Sequence, residues 1–115
     1  MDCEEENRIM TVQAMIRNMF GKKLSLWSYS LERERFEGIL YGALHLSCEF
    51  DRSNTIGFSI DVGGLPVTDF FGHSGLVFAT PEGIAEAHGY IDEYCRALLP
   101  DKFLERFEST LPTHR

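Results

Sequence analysis

The alternation of apolar and polar positions divides this chain into a helix, a run of strands and a second helical stretch. Ile9, Val12, Ile16 and Met19 recur at helical spacing, and Met15 and Phe20 widen the stripe. The pattern predicts a helix from about Glu4 to Phe20. Glu4, Glu5 and Glu6 suit its positive end, Gly21 terminates it, and Lys22 and Lys23 lie near its negative end. The three methionines Met10, Met15 and Met19 read as core rather than as an adaptable groove.

The period then changes to two. A strand is expected from Leu24 to Leu31, with Leu24 and Leu26 on one face and Trp27, Tyr29 and Leu31 on the other. After a charged turn, Glu32-Arg33-Glu34-Arg35, a long strand is expected from about Phe36 to Phe50. In it Phe36, Leu40, Leu44, Leu46, Cys48 and Phe50 share one parity, and Glu37, Tyr41, His45 and Glu49 the other. That alternation describes a strand with one face in the core and one in water. Gly38 and Gly42 mark a bulge or a close approach. Asp51-Arg52-Ser53-Asn54 is turn chemistry, and Thr55 to Val62 follows as a strand with Ile56, Phe58, Ile60 and Val62 inward and Asp61 outward. Leu65 to Phe71 reads as an irregular edge strand because of Pro66, and Gly75 to Ala79 as a short buried one.

Thr80-Pro81-Glu82 is a helix start: a capping hydroxyl, proline at the first helical position, and an acid in the first turn. The helix is expected to run to about Leu99 with Ile84, Ala87, Ile91, Tyr94 and Leu98 buried, and to stop at Pro100. Asp101 caps a last short helix to about Ser109, and the tail from Thr110 to Arg115 is expected to fray. The predicted fold class is α+β: an antiparallel sheet of three to five strands with an N-terminal helix and two C-terminal helices, in a two-layer sandwich. At 115 residues a single domain, 1–115, is expected.

Charge narrows the partners. Eighteen acidic against eleven basic residues give −7, which disfavours a phosphate backbone and favours a basic protein. The acidic N-terminus lacks the apolar region of a secretory signal, no apolar run is long enough to span a membrane, and Cys3, Cys48 and Cys95 are odd in number and widely spaced. A cytoplasmic setting with no membrane partner is expected.

Chemistry motifs are sparse. His45 and Cys48 sit at odd spacing, so a strand points them to opposite faces. His88 and Cys95 are two helical turns apart. Gly72-His73-Ser74-Gly75 lacks the residue that separates serine from glycine in a nucleophile elbow. Gly63-Gly64 has no lysine of a phosphate loop. No enzyme activity, metal or cofactor is expected. The most unusual segment is Gly63 to Gly75, with four of the ten glycines, Asp69, His73 and the adjacent Phe70 and Phe71. It reads as a mobile or bulged connection presenting Asp69 and one of the two phenylalanines beside an acidic sheet face. The expected partner-binding set is therefore Asp69, Phe70, Phe71 and His73 with Glu37, Tyr41, His45, Glu49 and Asp61 from the sheet.

Size, charge and fold class together fit a protein-binding inhibitor of the bacterial immunity or antitoxin type. Such a protein would cover the active surface of a basic toxin or effector, a nuclease being one kind. That expectation is an analogy of size and charge. The alternatives are a chaperone for a secreted protein and a small ligand-binding or enzymatic domain that uses the 63–75 loop. Monomer and homodimer both remain open.

Overall fold

The computed structural model describes residues 3–30, 35–51 and 54–110. Its elements are α1 (Cys3–Phe20), a 3-10 turn (Gly21–Lys23), β1 (Leu24–Ser30), β2 (Arg35–Leu40), β3 (Leu44–Asp51), β4 (Thr55–Val62), β5 (Leu65–Val67), β6 (Asp69–Phe70), β7 (His73–Ser74), β8 (Leu76–Phe78), α2 (Pro81–Leu98) and α3 (Asp101–Thr110). Strands β1 to β5 form an antiparallel meander, and β8 also pairs with β4. The fold is α+β: an antiparallel sheet with one N-terminal and two C-terminal helices. The expected turn at 32–34, the expected strand end at Leu31 and most of the expected tail lie outside the described residues.

One sheet face is the core. Phe36, Leu40, Leu46, Cys48, Ile56, Phe58 and Ile60 are buried on it, under Ile9, Val12, Ile16 and Phe20 of α1 and Ile84, Ala87, Ile91 and Cys95 of α2. Each fully buried aliphatic or aromatic side chain contributes roughly 1.5–3 kcal/mol, so this layer holds the domain together. α1 ends at Gly21, whose φ of +59° lets the chain turn into β1. Thr80 caps α2 by accepting from Gly83 N at 3.1 Å. The expected stripe of α2 is rotated at its far end: Cys95 is buried, while Leu98 is exposed and Tyr94 half-buried.

Three departures from the sequence pattern shape the molecule. First, the single long strand expected from Phe36 to Phe50 is two strands joined by Tyr41-Gly42-Ala43, with Leu40 facing Leu44. Tyr41 and Gly42 both take positive φ, +55° and +65°. Second, β1 carries a bulge between Ser25 and Ser28. Leu26 takes φ +53° and is 81 % exposed, so Leu24, Trp27 and Tyr29 all pack on the core rather than falling on opposite faces. Gly38 makes room for this: a Cβ there would lie 2.7 Å from Leu24 and 3.2 Å from Trp27.

Third, β5 and β8 are two halves of one edge strand. Val67 faces Ile60 and Leu76 faces Gly57, so nine steps on the edge match three on β4 and six residues leave the ladder. Those six are Asp69 to Ser74, the hairpin of β6 and β7, in which Asp69 faces Ser74 and Phe70 faces His73. The base closes through Gly75 N donating to Thr68 O at 2.8 Å, and Gly75 O accepts from Phe58 N at 2.8 Å, so the ladder resumes without a change of register. Only glycine fits there, since a Cβ on Gly75 would lie 2.3 Å from the Phe58 carbonyl oxygen.

Deleting Asp69–Ser74 and joining Thr68 to Gly75 is expected to give a folded protein with native circular dichroism. It should lose about 3 kcal/mol, chiefly from the buried Phe70. Absence of a cooperative thermal transition would show that the hairpin is integral to the sheet.

Candidate functional site

The hairpin does not lie on the sheet. It folds over α2, where Phe70 is buried with its ring edge-on to Tyr94 (centroids 5.3 Å), Phe71 lies against Tyr94 (5.4 Å), and His73 stacks flat on Tyr90 (3.9 Å, 6°). The two-residue turn needs positive φ at both centres, and Phe71 (+56°) and Gly72 (+86°) supply it. Asp69 Oδ1 accepts from Gly72 N at 2.8 Å and braces the turn. A bulky residue in this conformation is strained by roughly 1–3 kcal/mol. Phe71 is 57 % exposed all the same, so burial does not explain it.

Phe71, Tyr94, Tyr90 and His73 form an aromatic ledge. Glu86 and Glu93 lie one helical turn either side of Tyr90, and Glu86 accepts from the Tyr90 hydroxyl at 3.0 Å. Among the described residues no ion pair engages Asp69, Glu86 or Glu93. The ledge therefore has an acidic rim.

The remaining expected residues separate from it. Glu37, His45, Glu49 and Asp61 do share the outer sheet face, opposite the helices. Yet His45 Nε2 lies 3.0 Å from Glu37 Oε1, and Glu49 pairs with Arg35, so two of these carboxylates already have local partners. Beside Glu49, a cleft of about 450 Å³ opens where the hairpin leaves the edge, lined by Arg35, Ser59, Pro66, Thr68, Ser74 and Leu76 among others. Asp69 and His73 do not line it.

Two expected partner residues are corrected. Phe70 is buried and presents no surface. Tyr41 is not on the water-facing side of a strand: it is 1 % exposed, because its turn folds inward onto Phe107 of α3 (5.3 Å) and its hydroxyl donates to Asp92. The sequence pattern placed Tyr94 only in the buried stripe of α2 and did not single out Tyr90 or Asp92, whose contacts with His73, Tyr41 and Lys23 join residues distant in the chain.

Asp92 is a structural hub. It accepts from Tyr41 and lies 3.2 Å from both Lys23 Nζ and Arg96 Nε, while Arg96 reaches Glu108 of α3 at 3.4 Å. Burial alone would raise its carboxyl. The Tyr41 hydrogen bond, the Lys23 ammonium and Arg96 outweigh this and hold it below the usual carboxylate range. Burial raises the Tyr41 phenol, and the bond to Asp92 raises it further. His88 is lowered by burial and by Lys23, whose Nζ lies 3.5 Å from its Nε2. Burial pushes the Cys95 thiol up to about 12 and the Cys48 thiol well above its ordinary value, so neither is a thiolate nucleophile at neutral pH. His45 and Cys48 occupy opposite sheet faces, and no cluster of three metal-ligating side chains occurs among the described residues.

Compared with known proteins, the chain matches no family model, no curated protein and no solved structure. Its chemistry is read from its own residues.

Stability should fall in two steps on acidification. His88 resists protonation when folded, so the unfolded chain binds the proton first, and stability declines as pH drops below about 6.5. The Asp92 contribution is complete above about pH 4 and is lost as pH falls through its depressed folded value. Thermal midpoints measured across this range check both steps: His88→Gln should flatten the upper decline, and Asp92→Asn should remove the contribution of that carboxylate to the lower one.

Proposed function

We propose that this protein binds and inhibits a basic protein partner, a toxin or effector, in the manner of bacterial immunity proteins and antitoxins. The observation that carries this reading is Phe71, an exposed aromatic side chain held in a strained backbone conformation at a hairpin tip with an acidic surround. Strain without burial is a feature of sites that serve a ligand rather than the fold. Aromatic residues set in a braced position anchor interfaces, and the carboxylates of Asp69, Glu86 and Glu93 would meet cationic side chains of the partner, steering its approach and its register. An arginine or lysine laid on the Tyr90–His73 stack would gain a cation–π contact.

The net charge of −7 supports a basic partner, with a nuclease surface as one instance, and does not support nucleic acid. Among the described residues no helix is long and apolar enough to cross a membrane. The protein would act by occlusion in the cytoplasm, without catalysis. A ligand-binding role is the second reading, favoured by the outer cleft beside Arg35 and Glu49. It predicts that Ser59→Trp, which would fill the cleft, abolishes function while Phe71 variants do not.

Phe71→Asn separates fold from function. Asparagine tolerates positive φ, so stability should hold or rise by up to about 1 kcal/mol. Loss of the anchor should weaken capture of a basic partner from lysate of the source cells by about 30-fold, the effect of a hot-spot residue. Asp69→Asn keeps the bond to Gly72 and should weaken capture less, through slower association. Undiminished capture by both variants would rule out the ledge as the binding element.

A further inference from the structure

Gly57 is a glycine that the sheet does not require. Glycine inside a strand weakens it, and marks either a bulge or a place where something comes close to the backbone. Gly57 has no positive φ, and the pairing of β4 with β3 and β8 runs through it without a register shift. A Cβ built there would meet only Leu76 Cδ1 among the described residues, at an ordinary 3.8 Å. Register sets Gly57 in one row across the outer face, Arg35–Glu49–Gly57–Leu76. Its missing side chain opens the floor of the outer cleft, whose volume of about 450 Å³ is within the range of ligand sites. Ser59 lies further along β4, beside the gap where the hairpin leaves the edge, and Thr68 and Ser74 flank that gap.

We infer that this cleft binds a small neutral polyhydroxylated ligand, a monosaccharide being the simplest. The ionisable side chains lining it are Arg35 and Glu49, which pair with each other, so their charges cancel. An anion would have to displace Glu49, and a cation Arg35. Two neighbouring hydroxyls of a neutral ligand leave the pair intact: one accepts from the remaining guanidinium N–H groups and the other donates to the carboxylate. Ser59, Thr68 and Ser74 add hydroxyls that both donate and accept, and Ser74 Oγ, which accepts from Leu76 N at 3.1 Å, keeps its hydrogen to donate. Pro66 and the exposed Leu76 offer the apolar surface that the C–H face of a sugar ring covers. The inference is independent of the inhibitor reading of the hairpin ledge and rests on the ligand-binding reading of this cleft, to which it gives a ligand class.

The test follows backbone amide resonances of the full chain while D-glucose, D-galactose and D-mannose are titrated separately. The expected result is a saturable shift of the Gly57, Ser59, Thr68 and Ser74 amides with at least one sugar, in the millimolar range. Gly57→Val fills the floor and should abolish the shift while its thermal midpoint stays level or rises, since valine suits a strand and meets open space. Arg35→Gln, a second variant, should weaken binding about tenfold through loss of a charged hydrogen bond. Lys102→Gln, on α3, should bind as the unaltered chain does. The inference is overturned if none of the sugars shifts these amides, if Gly57→Val binds equally, or if its midpoint falls, which would assign the glycine to the fold. Equal shifts with inorganic phosphate or with the zwitterion of free glycine would overturn the ligand class while leaving the cleft a binding site.

Discussion

The carboxylate of Asp92 gathers three parts of the chain onto α2. It holds the 3-10 turn after α1 through Lys23, the β2–β3 turn through Tyr41, and α3 through Arg96 and Glu108. A half-buried carboxylate with this many donors is well satisfied, whereas one stripped of them would carry its full desolvation penalty. The hub also sets how α2 is turned. Asp92 projects to one side of the buried row Ile84–Ala87–Ile91–Cys95, and Tyr90 and Tyr94 project to the other. Whatever rotates α2 about its axis therefore moves the aromatic ledge, so the position of the ledge depends on a polar cluster on the opposite flank of the same helix.

Two aromatic residues in left-handed backbone conformation illustrate two ways of offsetting strain. Tyr41 is enclosed: its ring packs on Phe107, its hydroxyl bonds Asp92, and its amide donates to Lys23 O at 2.8 Å. The surroundings over-determine its conformation. Phe71 has one ring neighbour and the brace of Asp69, and more than half of it faces water. The same backbone geometry thus serves cohesion in one turn and display in the other.

The helices were legible because caps and the 3.6-residue period are local. Thr80-Pro81 and Gly21 mark ends that the structure reproduces within a residue or two. The β2–β3 turn was hidden because Leu40 faces Leu44 across a three-residue link, so the alternation runs through the turn without losing phase. Its glycine, Gly42, read as a bulge within the strand, and no asparagine, aspartate or proline stands beside it to mark a turn. The bulge at Leu26 was hidden because no glycine announces it. In the 63–75 segment the glycines flagged an unusual path, but its destination rests on contacts of Phe70, Phe71 and His73 with Tyr94 and Tyr90, some twenty residues further on. Contacts at that range leave no periodic trace in a sequence.

The resumption of the β4 ladder at Gly75 has a wider meaning. Thr68 and Gly75 are already joined by a hydrogen bond, and the strand on either side keeps one register. The hairpin is thus a cassette spliced into an otherwise unbroken strand. A segment of another length and composition joined at the same two residues would leave the pairing of β5 and β8 with β4 unchanged, so the tip is free to vary independently of the scaffold beneath it.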